Sequence, residues 1–283
     1  MKVRKFLAFF IYKKKNMDKE TLITLGSKAK LVVDQAADFI KQHRDQVNSD
    51  QVIEKGTNSL VSYVDQQSEE ILVKGLSAIL PEAGFITEEG MVEQSQKKLT
   101  WIIDPLDGTT NFLHSLPYFS VSVALYDGTD VIIGIVHEVI SNEVFYAVKG
   151  GGAFLNDKQI FVTNRDSFQD VLIGTGFPYK TEHTTIGHFK ALEKVLLSTR
   201  GIRRIGSAAL DLCYVACARF GAFYENSLNS YDIAAGALIV MEAGGMVSDF
   251  EGGDQWLFEG VILGTAPQFR SDMLKITAEF GRN

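Results

Sequence analysis

Between Thr100 and Phe112 the chain reads T-W-I-I-D-P-L-D-G-T-T-N-F, and this segment limits what the protein can fold into more than any other. Trp101, Ile102 and Ile103 form an apolar, β-branched run that predicts a buried strand ending at Asp104. Proline follows, then a second acid, Asp107, and then Gly108, Thr109 and Thr110, which suit a turn opening into a helix. Two carboxylates at a strand end suit a hard divalent cation, because Mg²⁺ takes oxygen ligands and keeps waters for a substrate phosphate. A Gly-Thr-Thr turn beside them offers N–H groups and hydroxyls to an anion. An Asp-Gly-Thr turn can also be only a cap, so the pair needs support from the rest of the chain.

At 283 residues the chain predicts one large domain or two abutting ones. Hydrophobic content of 46% with 22% charged residues is that of an ordinary globular protein, and a net charge of −7 argues against a general nucleic-acid or acidic-membrane binder. Basic residues cluster only locally, at Lys13, Lys14 and Lys15 and at Arg200, Arg203 and Arg204. Cys213 and Cys217, four apart on an apolar helical segment, read as small core residues in a reducing, cytoplasmic compartment. Near the N-terminus, the apolar run 6–12 is too short to span a bilayer, and no small-residue cleavage site follows. Residues 1–16 are expected to be a disordered appendage, with the folded domain starting near Met17.

From Asp18 onward, Leu22, Leu25, Ala29, Val32, Ala36 and Phe39 recur at helical spacing and predict a long amphipathic helix over 18–47. A loop or short strand at 51–61 and a helix over 65–80 come next. Strands are expected at 85–87, 99–103, 119–126, 131–139, 143–148, 153–155 and near Ile160. Hairpin-length loops make this half, 17–165, look α+β and antiparallel. The second half, 166–283, alternates strands (171–174, 202–205, 222–225, 246–248, 261–263) with helices (188–198, 207–220, 233–243 and from Phe269), which predicts α/β layering.

Further acids fall where a strand-end site could gather them. Glu88 closes a short strand just before the Asp104 strand. Asp232 heads a small-residue helix in Y-D-I-A-A-G, and Asp65 begins another in V-S-Y-V-D; both suit helix caps. Taken together, F-I-T-E-E at 85–89, the 101–112 motif, G-S-A-A-L-D at 206–211, Y-D-I-A-A-G at 231–236 and K-x-x-x-x-L-V-x-x-x-D from Lys55 to Asp65 resemble the inositol monophosphatase family in order and spacing. The resemblance runs from about Asp18 to the C-terminus.

It implies a five-layer α-β-α-β-α sandwich and a Mg²⁺-dependent, lithium-sensitive phosphomonoesterase, with inositol 1-phosphate or a related polyol or sugar phosphate as substrate. Two or three Mg²⁺ are implied per site. Glu88, Asp104 and the Leu106 carbonyl would hold the first, Asp104, Asp107 and Asp232 the second, and Glu88 would help a third. Thr109, oriented by Asp65, would activate the attacking water. Gly108 and Thr109 would cradle the phosphate, and Ala208, Glu225 and Asp232 would meet the hydroxyl-bearing body. A homodimer without membrane attachment is expected. Two departures stand out: Tyr231 replaces the usual Trp, and Thr87 stands where glycine is common.

The alternatives are same-fold phosphatases for fructose 1,6-bisphosphate, adenosine 3′,5′-bisphosphate or histidinol phosphate. Another class is a regulatory protein binding RNA or the transcription machinery, for which Arg200, Arg203 and Arg204 are the only support.

Overall fold

The computed structural model describes residues 17–44, 46, 52–56, 59–177 and 185–281. The appendage expected at 1–16 lies outside them. Helix α1, Lys19–His43, starts where Asp18 accepts a hydrogen bond from the Thr21 N–H at 2.8 Å, and it buries Leu22, Leu25, Ala29, Val32, Val33, Ala36 and Ile40. Where a loop or short strand was expected, β1 (Val52–Gly56) and β2 (Ser59–Ser62) form a hairpin that leads into α2, Tyr63–Ile79.

Seven strands then form one sheet in chain order: β3 (Gly84–Thr87), β4 (Thr100–Asp107), β5 (Ser120–Tyr126), β6 (Val131–Glu138), β7 (Glu143–Val148), β8 (Gly152–Leu155) and β9 (Lys158–Ile160). Only β3 and β4 are parallel; the other neighbours are antiparallel. A five-residue helix, α3 (Thr109–Leu113), follows β4. Beyond residue 171 the elements are β10 (Leu172–Thr175), α4 (Thr185–Ser198), β11 (Gly201–Arg203), α5 (Ala208–Ala216), β12 (Ala222–Asn226), α6 (Ser230–Glu242), β13 (Met246–Ser248), α7 (Trp256–Glu259), β14 (Val261–Thr265) and α8 (Arg270–Thr277). Their sheet runs β11-β10-β12-β14-β13.

The layering follows from which faces are apolar. In β4, Trp101 and Ile103 face the α1/α2 cluster, while Ile102 faces α5 and α6 on the other side. Val121, Val123 and Leu125 of β5 divide from Ala124 in the same way. Both faces are therefore buried, which is why these strands read as continuous apolar runs. Small residues line the α6 face: a Cβ on Gly134 would come within 2.7 Å of the Ala235 carbonyl oxygen. Helix α5 also packs on β12, and α6 on β13 and β14, while α4 and α8 cover the outer face of the second sheet. The order is α1/α2, seven-stranded sheet, α5/α6, five-stranded sheet, α4/α8, the expected five-layer sandwich.

Candidate active site

Strand β4 was expected to stop at Asp104, but it continues through Pro105 to Asp107. Proline is tolerated because the register is broken there: Asp104 pairs with Ser122 and Asp107 with Ser120, three steps along β4 against two along β5. Side chains alternate along a strand, so acids three apart would leave opposite faces. The bulge brings them to one side, where the charge of Asp107 adds to the proton affinity of Asp104. Asp104 Oδ1 accepts from the Leu106 N–H at 3.0 Å within the bulge. Gly108 then turns with φ +96, and a Cβ there would meet the Tyr118 carbonyl oxygen at 2.8 Å.

Three other segments converge on this point. The parallel pairing of Thr87 with Ile103 sets Glu88 beside Asp104, its N–H donating to the Ile103 carbonyl at 3.2 Å. Asp232 is not the cap of α6. Asn229 occupies that place, and Asp232 sits at the third helical position, accepting from the Asn229 N–H at 2.6 Å in a capping box. Asp65 likewise lies inside the first turn of α2, which starts two residues earlier than expected. It accepts a hydrogen bond from the Thr109 hydroxyl at 3.1 Å.

Asp107 reaches across to the second sheet. Its Oδ2 accepts from the Ser207 hydroxyl at 2.6 Å and the Ala209 N–H at 2.8 Å, at the start of α5. Ala208 opens that helix, and its N–H also favours the ionised Asp107. Ser207 was not singled out from sequence; its place heading an apolar helix in G-S-A-A-L-D was the available signal. Asn111 bonds the Tyr118 and Ile205 carbonyls at 2.7 and 2.9 Å, fastening α3 to the same loop. Glu225, near the end of β12, is buried against Gly176, where a Cβ would lie 1.8 Å from its Oε1.

The acids share a buried, mutually repelling environment. Burial, then the charge of Asp232, pushes Glu88 up to about 8. Burial and Asp107 push Asp232 to about 8, and burial holds Asp104 well above the usual carboxylate range, with Glu88 adding to it. Asp107 is raised by burial only to about 6, because Ser207 and the α5 N–H groups favour its charged form. Burial also raises Glu225 to about 8, against the opposing charge of Arg204.

Among the described residues no three acidic, His or Cys side chains close around a single ion position. The acids instead face one another in pairs, Glu88 with Asp104 and Asp104 with Asp232. A donor set made only of oxygens, buried and self-repelling, fits hard divalent cations such as Mg²⁺.

Of the basic clusters noted in the sequence, Lys13, Lys14 and Lys15 lie outside the described residues, and the three arginines have different surroundings. Arg200 pairs with Asp170 at 2.7 Å, Arg203 is exposed, and the charge of Arg204 acts on Asp107, Asp211 and Glu225. Cys213 is buried and Cys217 half-buried, and both are free thiols.

The sequence model of the inositol monophosphatase family matches residues 16–279. The chain is 41% identical to the Nus factor SuhB of Pasteurella multocida over 78% of its own length and 83% of that protein. It is 40% identical to an inositol-1-monophosphatase of Mesorhizobium japonicum, covering 81% of this chain and 87% of the relative. The solved extragenic suppressor protein suhB of Bartonella henselae superposes with a TM-score of 0.85 at 36% identity, spanning 90% of this chain and 98% of that one. Fold, site and sequence together make the chain a member of the inositol monophosphatase family, a family of phosphatases.

Proposed function

We propose that the protein is a Mg²⁺-dependent phosphomonoesterase that hydrolyses inositol 1-phosphate or a related polyol or sugar phosphate. The observation that carries this reading is the gathering of Glu88, Asp104, Asp107 and Asp232 beside the Thr109–Asp65 hydrogen bond. In this reading Glu88, Asp104 and the Leu106 carbonyl hold one ion, Asp104, Asp107 and Asp232 a second, and Glu88 helps with a third. Bound Mg²⁺ supplies charge neutralisation and lowers the pKa of water, without which phosphate monoesters hydrolyse extremely slowly.

The chain's own groups do the rest. The Thr109 hydroxyl takes part in proton transfer from the attacking water, and Asp65 accepts from that hydroxyl and fixes its direction. The N–H groups of Gly108 and Thr109 face the phosphate. Glu225 and Ala208 meet the alcohol hydroxyls, which favours a polyol over a nucleotide. A homodimer in the cytoplasm completes the proposal; among the described residues no helix is long and apolar enough to cross a membrane.

The test is phosphate release across inositol 1-phosphate, fructose 1,6-bisphosphate, adenosine 3′,5′-bisphosphate and histidinol phosphate, with Mg²⁺, with chelator and with Li⁺. Inositol 1-phosphate turnover that needs Mg²⁺ and falls with Li⁺ is expected; turnover surviving chelation would refute the mechanism. Identity to a Nus factor favours a second reading, contact with transcription machinery or RNA. Capture of purified RNA polymerase or RNA by an Asp104→Asn protein would show such a role to be separate from catalysis.

A further inference from the structure

Helix α2 presents Asp65, Ser68 and Glu69 on one side, at i, i+3 and i+4, and all three are buried. Each grips a different piece of the site. Asp65 accepts from Thr109. Ser68 donates to the Pro105 carbonyl at 3.0 Å, inside the β4 bulge. Glu69 accepts three hydrogen bonds from the turn after β3: from the Thr87 hydroxyl at 2.8 Å, the Glu89 N–H at 2.8 Å and the Met91 N–H at 2.7 Å.

The Glu69 bonds enclose Glu88. Gly90, at φ +67, bends the chain so that the N–H groups on either side of it converge on one carboxylate. Gln94 brackets Thr87 from outside, accepting from its N–H at 2.9 Å and donating to its hydroxyl at 2.9 Å. With the Glu88 N–H on Ile103, the backbone of residues 87–91 has little freedom left. Thr87 thereby gains a use for the hydroxyl that a glycine would lack.

We propose that Glu69 is a positioning residue for the cation site: it touches neither ion nor substrate, but fixes the turn that aims Glu88 at Asp104. This rests on the metal reading above. Partners behind a ligand set its direction, and changing them typically costs 10–100-fold in metal affinity. Glu69→Gln keeps the volume but turns an amide N–H₂ toward backbone donors, so the turn must loosen.

Calorimetric titration of the metal-free full chain with Mg²⁺ and Mn²⁺, beside steady-state kinetics, tests this. Glu69→Gln is expected to weaken the tighter cation site about 10–100-fold while kcat recovers to within a few-fold at saturating Mg²⁺. Glu242→Gln is the control. Glu242 also accepts from two backbone N–H groups, of Gly150 and Gly152, but it lies about 15 Å along α6 from Asp232. It should lower the melting temperature and leave cation affinity unchanged. Should Glu69→Gln fail to fold, Thr87→Val, which deletes one of the three bonds, must weaken the cation several-fold. Unchanged affinity in Glu69→Gln, or in Thr87→Val where that variant decides, overturns the proposal. A wild-type chain that binds neither cation overturns the metal reading instead.

Discussion

The Thr109 hydroxyl lies 3.1 Å from Asp65 Oδ1 and 3.1 Å from the Leu106 carbonyl oxygen, two acceptors for one proton. Donation to Asp65 leaves the carbonyl free for an ion, and donation to the carbonyl does the reverse. Occupation of the carbonyl by a cation should therefore commit the proton to Asp65. Asp65→Asn and Thr109→Ala are expected to lower kcat by about 10²–10⁴-fold with cation affinity nearly intact, as removal of proton-transfer positioning does. Parallel kinetics and Mg²⁺ calorimetry check this; loss of binding in Asp65→Asn would show that it holds the ion.

Asp104→Asn should behave differently. It removes charge between Glu88, Asp107 and Asp232, and cation affinity should fall by more than the roughly 100-fold upper range of indirect changes. Near-normal Mg²⁺ titration of this variant would contradict the assigned ligand set.

Stability of the metal-free protein should fall as pH rises. Glu88, Asp232 and Glu225 hold protons up to about 8 in the fold, against ordinary values of 4.5, 3.8 and 4.5 in the unfolded chain. Between about pH 4 and 8 the folded state binds more protons, so unfolding releases them and higher pH favours it. Scanning calorimetry in chelator should give a melting temperature that declines from pH 5 to 8.5, with Mg²⁺ restoring most at the upper end. A curve that rises over that range would reject the raised acids.

Gly176→Ala should act through Glu225. The added methyl collides with the carboxyl at 1.8 Å and must turn it away. If Glu225 binds a substrate hydroxyl, KM should rise about tenfold with a smaller change in kcat, the scale of one hydrogen bond. An unchanged KM would remove Glu225 from the substrate pocket.

Gly134→Val tests the layer contact alone. Its side chain would enter the α6 backbone at Ala235, and overpacking of this kind costs about 1–3 kcal/mol. Denaturant unfolding should show that loss, with cation affinity kept.

The sequence showed the acids better than their supports. Asp104 and Asp107 stood out because strand, proline and glycine crowd one short segment, and Glu88 could be placed from the parallel neighbour it had to join. The helix starts were less legible, because several neighbouring polar residues could cap each: Asn229 rather than Asp232 is the cap of α6, and α2 begins at Tyr63, ahead of Asp65. Ser207 escaped because its bond to Asp107 joins residues 100 apart, and no local pattern marks such a partner. Glu69 escaped for the same reason, being one of several acids on an amphipathic helix until the turn after β3 folded onto it.

The β4 bulge makes this segment sensitive to residue number as well as residue type. Pro105 and Leu106 contribute one position more than the ladder needs. Losing either would let the strands pair without interruption, with the sheet and its core spared and Asp104 and Asp107 two apart on one face, yet the bulge would be gone, and with it the carbonyls of Pro105 and Leu106 that meet Ser68 and Thr109. A single-codon deletion here should thus yield a well-folded but inert protein, whereas many point changes at Leu106, whose proposed ligand atom is a backbone oxygen, should be tolerated chemically. Among relatives, an alignment gap at this spot would be a better mark of lost catalysis than a changed letter.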